Sequence, residues 1–259
     1  MPLCRLVLAL LALGLAAAAR PAGADESKLD VIVARGVLRV GATGDYRPFA
    51  LRDKASGTWS GIDVDLAQSL GKALGVRVEL VQTSWPTLMS DFGAGKFDIA
   101  MGGITITLER QKTALFSAPM LRDGKTPIAL CTNAARFQTL EQVDRPGVTV
   151  VVNPGGANER FDRAHLKQAT IRVHPDNTTI FEEIIAGRAD LMITDASEAR
   201  TQHKLHPELC AIHPDQPFDT LEKAYLLPRD VALKAFVDQW LHLATETGEL
   251  QAVLSRYLD

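Results

Sequence analysis

The chain has 259 residues, 46% of them hydrophobic and 6% aromatic, with 28 Lys and Arg against 31 Asp and Glu. That length suffices for one large core or two modest ones. A net charge of −3 without a basic run excludes a nucleic-acid binder held by a cationic face. An anionic ligand would have to be drawn by local Arg, Lys and N–H groups.

The chain starts MPLCRLVLALLALGLAAAARPAGA, with an early charge at Arg5, an apolar run from Leu6 to Ala19 and small residues at Ala22 and Ala24. This is the layout of a secretory signal, with cleavage expected after Ala24 and a periplasmic destination. The apolar run is shorter than the roughly 20 residues that span a bilayer, and no later segment is apolar enough to do so. Cys4 precedes the apolar run, which excludes a lipoprotein signal. Removing 1–24 leaves 235 residues, with 26 basic and 31 acidic, a net charge of −5. Two cysteines then remain, Cys131 and Cys210, and in an oxidising compartment they are expected to form one disulfide.

Strand and helix patterns alternate along the rest of the chain. VLRVG (37–41) reads as a strand. GIDVDLAQSLGKALG (61–75) has apolar residues at Ile62, Leu66, Ala67, Leu70 and Leu74, the spacing of a helix face, and Gly75 is a natural C-cap. A strand over 76–81, a helix over 85–93 and a buried strand over 97–101 follow, leading into GGITIT. A second unit begins near Cys131. It has a strand over 148–152, the turn NPGG, a helix from about Asn158, a strand over 171–173, a helix over 178–186 and a strand over 189–193. After Pro217, EKAYLLPRD reads as a strand returning to the first unit, and 231–258 as a long helical region. The predicted class is α/β, with two lobes, each a mainly parallel sheet flanked by helices. Lobe 1 is 25–128 with 219–259, and lobe 2 is 129–218, joined by two crossovers near 125–130 and 218–226. Open parallel sheets bind ligands beyond the carboxyl ends of their strands, so the expected site is the cleft between the lobes.

One stretch poses a specific question. TDASEAR (194–200) follows the apolar run ADLMI and sets Asp195 and Glu198 three residues apart. That spacing is a capping box at a helix start, or equally a pair of carboxylates for acid chemistry. The spacing alone leaves both open.

GDYRPF (44–49), GIDVDLA (61–67), FDIAMGGITITLERQKTALFSAPM (97–120) and ADLMITD (189–195) resemble the type II periplasmic solute-binding proteins for polar amino acids, over nearly all of 28–258. TSWPTLMSDF, RDGKTPIALC, NPGGANERF, TDASEARTQ and QPFDTLEKAYLLPRD are similar to the periplasmic cyclohexadienyl dehydratases, enzymes on that same fold. The resemblance implies conversion of prephenate to phenylpyruvate, and of arogenate to phenylalanine, without cofactor or metal. The shared fold and the pair Arg110 and Asp195 also allow a rival function, an amino-acid receptor handing ligand to an ABC transporter, whereas TSWP, NPGGANER and SEAR favour the enzyme.

Prephenate is a dianion whose ring aromatises when CO2 and the ring hydroxyl leave. Hydroxide is a poor leaving group, so the reaction asks for carboxylate anchors, a dry ring-shaped cavity and one acid. Thr105 and Arg110, in the family's ITxxxxR pattern, are implied to bind a carboxylate, with backbone N–H groups from Gly103 onward assisting. A surface Arg110 paired with Asp91 or Glu109 is the plain alternative. NPGGANER offers a second anion site, where glycines permit close backbone approach and Asn153 and Asn158 add donors. Tyr46 and Trp85 are implied to present apolar faces to the ring. The resemblance assigns the general acid to Glu198, with Asp195 ionised beside it to keep it protonated and capping the helix through one oxygen. Glu159 is a secondary candidate, disfavoured because a helix N-terminus favours its ionised form. His203 and His206 form one H-x-x-H without a third ligand, so no metal is expected. The expected partner is a small anionic cyclohexadienyl substrate, with no nucleic acid and no membrane after signal cleavage. Self-association into a homo-oligomer stays open.

Overall fold

Two five-stranded sheets organise the computed structural model, which describes residues 26–259. The expected signal segment, 1–24, lies outside the described residues. Among those residues no helix is long and apolar enough to cross a membrane.

In the first sheet Val37–Ala42 runs parallel to the edge strand Arg77–Gln82 on one side and to the central Ile99–Ala100 on the other. Leu226–Leu227 then adds antiparallel to Ile99–Ala100, and Leu115–Phe116 closes that edge. The helix Ile62–Leu74 covers this sheet because Ile62, Leu66, Ala67 and Leu70, all fully buried, fall on one face. It ends where Gly75, at φ 70°, turns its N–H back to the carbonyl of Gly71. The segment expected as a helix from Trp85 becomes helical only at Leu88, since Ser84 to Thr87 form a turn around Pro86. The tail is two helices, Val231–Glu246 and Glu249–Leu258, broken at the left-handed Gly248.

The second sheet repeats the scheme. Thr149–Val152 lies parallel to Thr170–Val173 and to Leu191–Asp195, with Lys125–Leu130 and Leu209–Ala211 added antiparallel. Leu191 and Ile193 pack into one hydrophobic cluster and Met192 into another across the sheet. A strand covered on both faces needs a continuous apolar run, which is why ADLMI shows no alternation. In both sheets the parallel strands sit together, and the antiparallel ones are those beside the crossovers, where the chain returns. The strand Lys125–Leu130 lies wholly in the second sheet, so the boundary expected at 128/129 falls inside it.

Between the lobes, Leu121–Asp123 pairs antiparallel with Leu221–Lys223 as a separate two-stranded ribbon. These are the crossovers, and a ribbon of three residue pairs is the hinge on which the lobes meet. Cys131 and Cys210 are joined by a disulfide at the far end of lobe 2. Several contacts bridge the cleft: Lys54 to Asp176 at 2.7 Å, Asn177 Nδ2 to the Asp45 carbonyl at 3.0 Å, and Tyr46 to Asp195. The lobes are therefore closed on each other.

Candidate active site

Closure leaves a small cavity at the carboxyl ends of both sheets. Tyr46, Trp85, Gly103, Thr105 and Arg110 line it from lobe 1, and Asn153, Gly156, Ala157, Asn158, Asn177 and Asp195 from lobe 2, with Lys223 of the hinge between them. Eight of the sequence-predicted residues thus meet in one place. Glu198 does not form part of that wall; it lies one layer behind it, 1% exposed.

Arg110 stands on the short helix Leu108–Gln111, started by the Thr107 side chain accepting from the Arg110 N–H. It is 5% exposed, yet the one hydrogen bond of its side chain among the described residues is from Nη1 to the Thr105 carbonyl at 2.8 Å. The carboxylates that could have neutralised it are engaged elsewhere, Asp91 with Lys96 and Glu109 with Lys112. Burial, and secondarily the nearby Arg160, lower its pKa to about 10, which still leaves it charged at neutral pH. A buried cation without a counter-ion is costly unless a ligand anion completes it.

The rest of this wall is aromatic. Tyr46 stacks on Phe49 at 5.2 Å between centroids and meets Trp85 edge-on at 5.5 Å, while Trp85 Nε1 donates to Asp45 Oδ1 at 3.1 Å. Gly103, at φ +66°, has no room for a Cβ, which would lie 2.5 Å from the Tyr46 ring. Its N–H does not point to a ligand, as expected from sequence, but donates to the buried Asp63 carboxylate at 2.6 Å.

Lobe 2 supplies a different wall. Asp195 caps nothing: its side chain makes no cap bond, because both oxygens are claimed by buried cations. Lys125 Nζ donates to Oδ1 and Lys223 Nζ to Oδ2, each at 2.5 Å, and the Tyr46 hydroxyl also donates to Oδ2. The helix Ala196–Leu205 is capped instead from the hinge, where Asp123 accepts from the Ser197 hydroxyl at 2.5 Å and its N–H at 3.2 Å. Burial alone would raise Asp195, but the two ammonium groups outweigh it and hold the carboxylate well below its usual range.

Glu198 has the opposite fate. Burial raises its pKa to about 8; a hydrogen bond from Thr194 opposes this, and the Asp195 charge adds to it. The carboxyl accordingly tends to hold its proton at pH 7, chiefly through desolvation and secondarily through its charged neighbour. Glu159 is ionised: the Gly155 N–H donates to its Oε2 at 2.6 Å, Arg163 pairs with it at 2.6 Å, and both lower its pKa.

The glycines of NPGG also serve a purpose other than the expected one. A Cβ on Gly155 would come within 2.7 Å of the Pro86 backbone, in the opposite lobe, so this glycine permits closure. The helix Ala157–His165 starts at Gly156 without a side-chain cap, leaving first-turn N–H groups beside the cavity. Asn153 and Asn177 each carry a buried Oδ1 without a partner among the described residues.

Sequence reasoning missed Lys125, Lys223, Asn177, and the buried Asp162 on the Asn158 face of its helix. A lone lysine in a strand reads as solvent-facing, because lysines are seldom fully buried unless paired. The pairing is visible only in register, where Lys125 lies opposite Asp195 across two antiparallel strands. Among the histidines, His203 bonds through Nδ1 to the Leu209 carbonyl; it clusters with Cys131 and Cys210, whose sulfurs are committed to the disulfide.

Comparison with known proteins fits this geometry. The family model described as bacterial extracellular solute-binding proteins, family 3, matches residues 38–259. A cyclohexadienyl dehydratase of Pseudomonas aeruginosa is 61% identical over 236 residues, covering 91% of this chain and 88% of that protein. Among solved structures, an ancestral amino acid-binding protein described as a precursor of cyclohexadienyl dehydratase superposes with a TM-score of 0.84 at 35% identity, over 90% of this chain and 100% of that one. An ancestral cyclohexadienyl dehydratase is 51% identical, with a TM-score of 0.57, over 90% of this chain and 97% of that one.

Proposed function

The chain belongs to the bacterial extracellular solute-binding proteins, family 3, and we propose that within that family it is a periplasmic cyclohexadienyl dehydratase acting on prephenate and arogenate. The observation that carries this reading is the neutral Glu198 carboxyl, buried beside an ionised Asp195 at a closed interlobe cavity. A receptor that only holds an amino acid has no use for a stored proton there.

The chemistry follows from the two walls. Arg110 takes one substrate carboxylate, with Thr105 beside it, and the first-turn N–H groups after Gly156 with Asn153 take polar groups at the other end. Tyr46 and Trp85 flank the ring. Closure excludes water, so the charges in the cavity act at full strength. The ring carboxylate then leaves as CO2, and its bonding pair passes into the ring as the C–O bond on the opposite side breaks. The departing oxygen takes the Glu198 proton and leaves as water. Glu198 is left ionised and regains a proton from solvent when the lobes open. A well-placed acid of this kind contributes about 10²–10⁴-fold. Asp195 stays ionised throughout, pairing with Lys223 at the cavity wall and with Lys125 behind it.

The test is direct. Purified protein is expected to convert prephenate to phenylpyruvate with no added metal or nucleotide, followed by absorbance of the product. Prephenate left intact, together with tight binding of an amino acid, would replace this reading with the receptor function.

A further inference from the structure

We propose that Lys125, Asn158 and Thr194 form a one-way hydrogen-bond chain that places the proton of Glu198 on Oε1, which makes them positioning residues for the dehydration. This inference rests on the function proposed above.

Each direction in the chain is forced by the one before it. An ammonium group can only donate, so the contact from Lys125 Nζ requires the Oδ1 side of the Asn158 amide. The Nδ2 side must then face the other way, and it donates to Thr194 Oγ1 at 3.1 Å. Thr194 is fully buried, and its hydroxyl oxygen is already accepting. The one acceptor bonded to its proton among the described residues is Glu198 Oε2. Oε2 is thereby an acceptor, and the acid proton belongs on Oε1. That oxygen has no partner among the described residues, yet it is not one of the completely enclosed polar atoms, as both oxygens of Asp162 are. A proton on an oxygen that no other acceptor in the described residues claims is free to pass to a departing hydroxyl.

The chain also binds the acid to the substrate wall. Asn158 and Asp195 line the cavity, both contact Lys125, and Thr194 immediately precedes Asp195 on the same strand. Displacing either residue would misdirect Glu198. The charged and titratable groups facing Glu198 are Asp195 from its own strand end, Lys125 from the neighbouring strand, Lys223 from the hinge and Tyr46 from lobe 1. Close to Lys125 lies Asp162, whose carboxyl burial raises well above the usual carboxylate range. With those neighbours unchanged, losing the Thr194 donor removes a bond that favours ionised Glu198, and Glu198 should hold its proton to higher pH.

Thr194→Val keeps the shape and removes the donor; Thr194→Ser restores it. The valine variant is expected to lose about tenfold in kcat, the worth of one buried hydrogen bond, with KM little changed. Its basic limb of kcat should move to higher pH, and serine should recover both properties. A valine variant with unchanged kcat and unchanged limb, or losses that serine does not recover, overturns the proposal. A second readout needs no turnover: the isotope-edited infrared carboxyl band of Glu198, identified by its absence in Glu198→Gln and titrated in both Thr194 variants. Its midpoint should rise in the valine variant alone, and an unchanged midpoint overturns the chain. Wild-type protein inactive on prephenate would instead overturn the function, so the two failures are distinguishable.

Discussion

The two walls of the cavity solve the problem of buried charge in opposite ways. On the lobe 1 side Arg110 is enclosed and charged, and the protein gives it a backbone carbonyl but no carboxylate. On the lobe 2 side every charge has been answered: Asp195 lies between two ammonium groups, and Glu198 escapes the cost by remaining neutral. A buried ion must be paired, solvated or discharged. The first wall is therefore incomplete until an anion arrives, whereas the second is complete and stores a proton. On the proposed function, binding and chemistry are divided between two lobes of the same architecture.

That contrast can be broken from either side. The largest expected effect is on the complete wall. Asp195→Asn leaves Lys125 and Lys223 enclosed without a counter-ion and should cost about 3–5 kcal/mol of stability, measured by denaturant unfolding. A loss under about 1 kcal/mol would mean that the lysines are not held by this carboxylate.

The stored proton gives a prediction with a definite sign. Glu198 is raised in the folded state from its ordinary 4.5 to about 8, so the stability of its neutral form is present below 4.5 and lost as pH rises through 8. Between pH 6 and pH 8 the wild type should lose stability relative to Glu198→Gln by up to about 1.4 kcal/mol per pH unit. Parallel stability curves for the two proteins would show that Glu198 is ionised in the folded state.

The incomplete wall gives the smallest of these effects. Arg110→Met removes an uncompensated buried charge, so the free protein should be no less stable than wild type. Its kcat/KM for prephenate should fall about 10–100-fold, the worth of charge-assisted bonds to a carboxylate, mostly through KM. A variant that loses stability but keeps its KM would place a hidden partner on Arg110 and erase the contrast between the walls.

How much of this could be read in the sequence depended on the range of the interaction. The helix Ile62–Leu74 and the buried strand ending at Asp195 were legible because their signals are local: spacing of 3.6, a glycine stop, an unbroken apolar run. The cavity residues from Tyr46 to Asp195 came from matching motifs, and the structure brings eight of them together. The roles inside the cluster were less legible. Asp195 was expected to cap the helix, but lysines 70 and 28 residues away claim its oxygens, and Asp123 of the hinge takes over the cap. Gly155 looked like an opening for an anion and is an opening for Pro86 of the other lobe. Such errors share one cause: a local pattern states what a residue can do, and only tertiary register decides which partner arrives first.

The central claim is that the proton comes from Glu198. Its most direct test compares Glu198→Gln and Glu159→Gln in steady-state turnover of prephenate, with ligand binding measured alongside. The account predicts that Glu198→Gln still binds ligand but loses at least about 10²-fold in kcat, while Glu159→Gln stays within about threefold of wild type. Turnover that survives in Glu198→Gln and disappears in Glu159→Gln would contradict it.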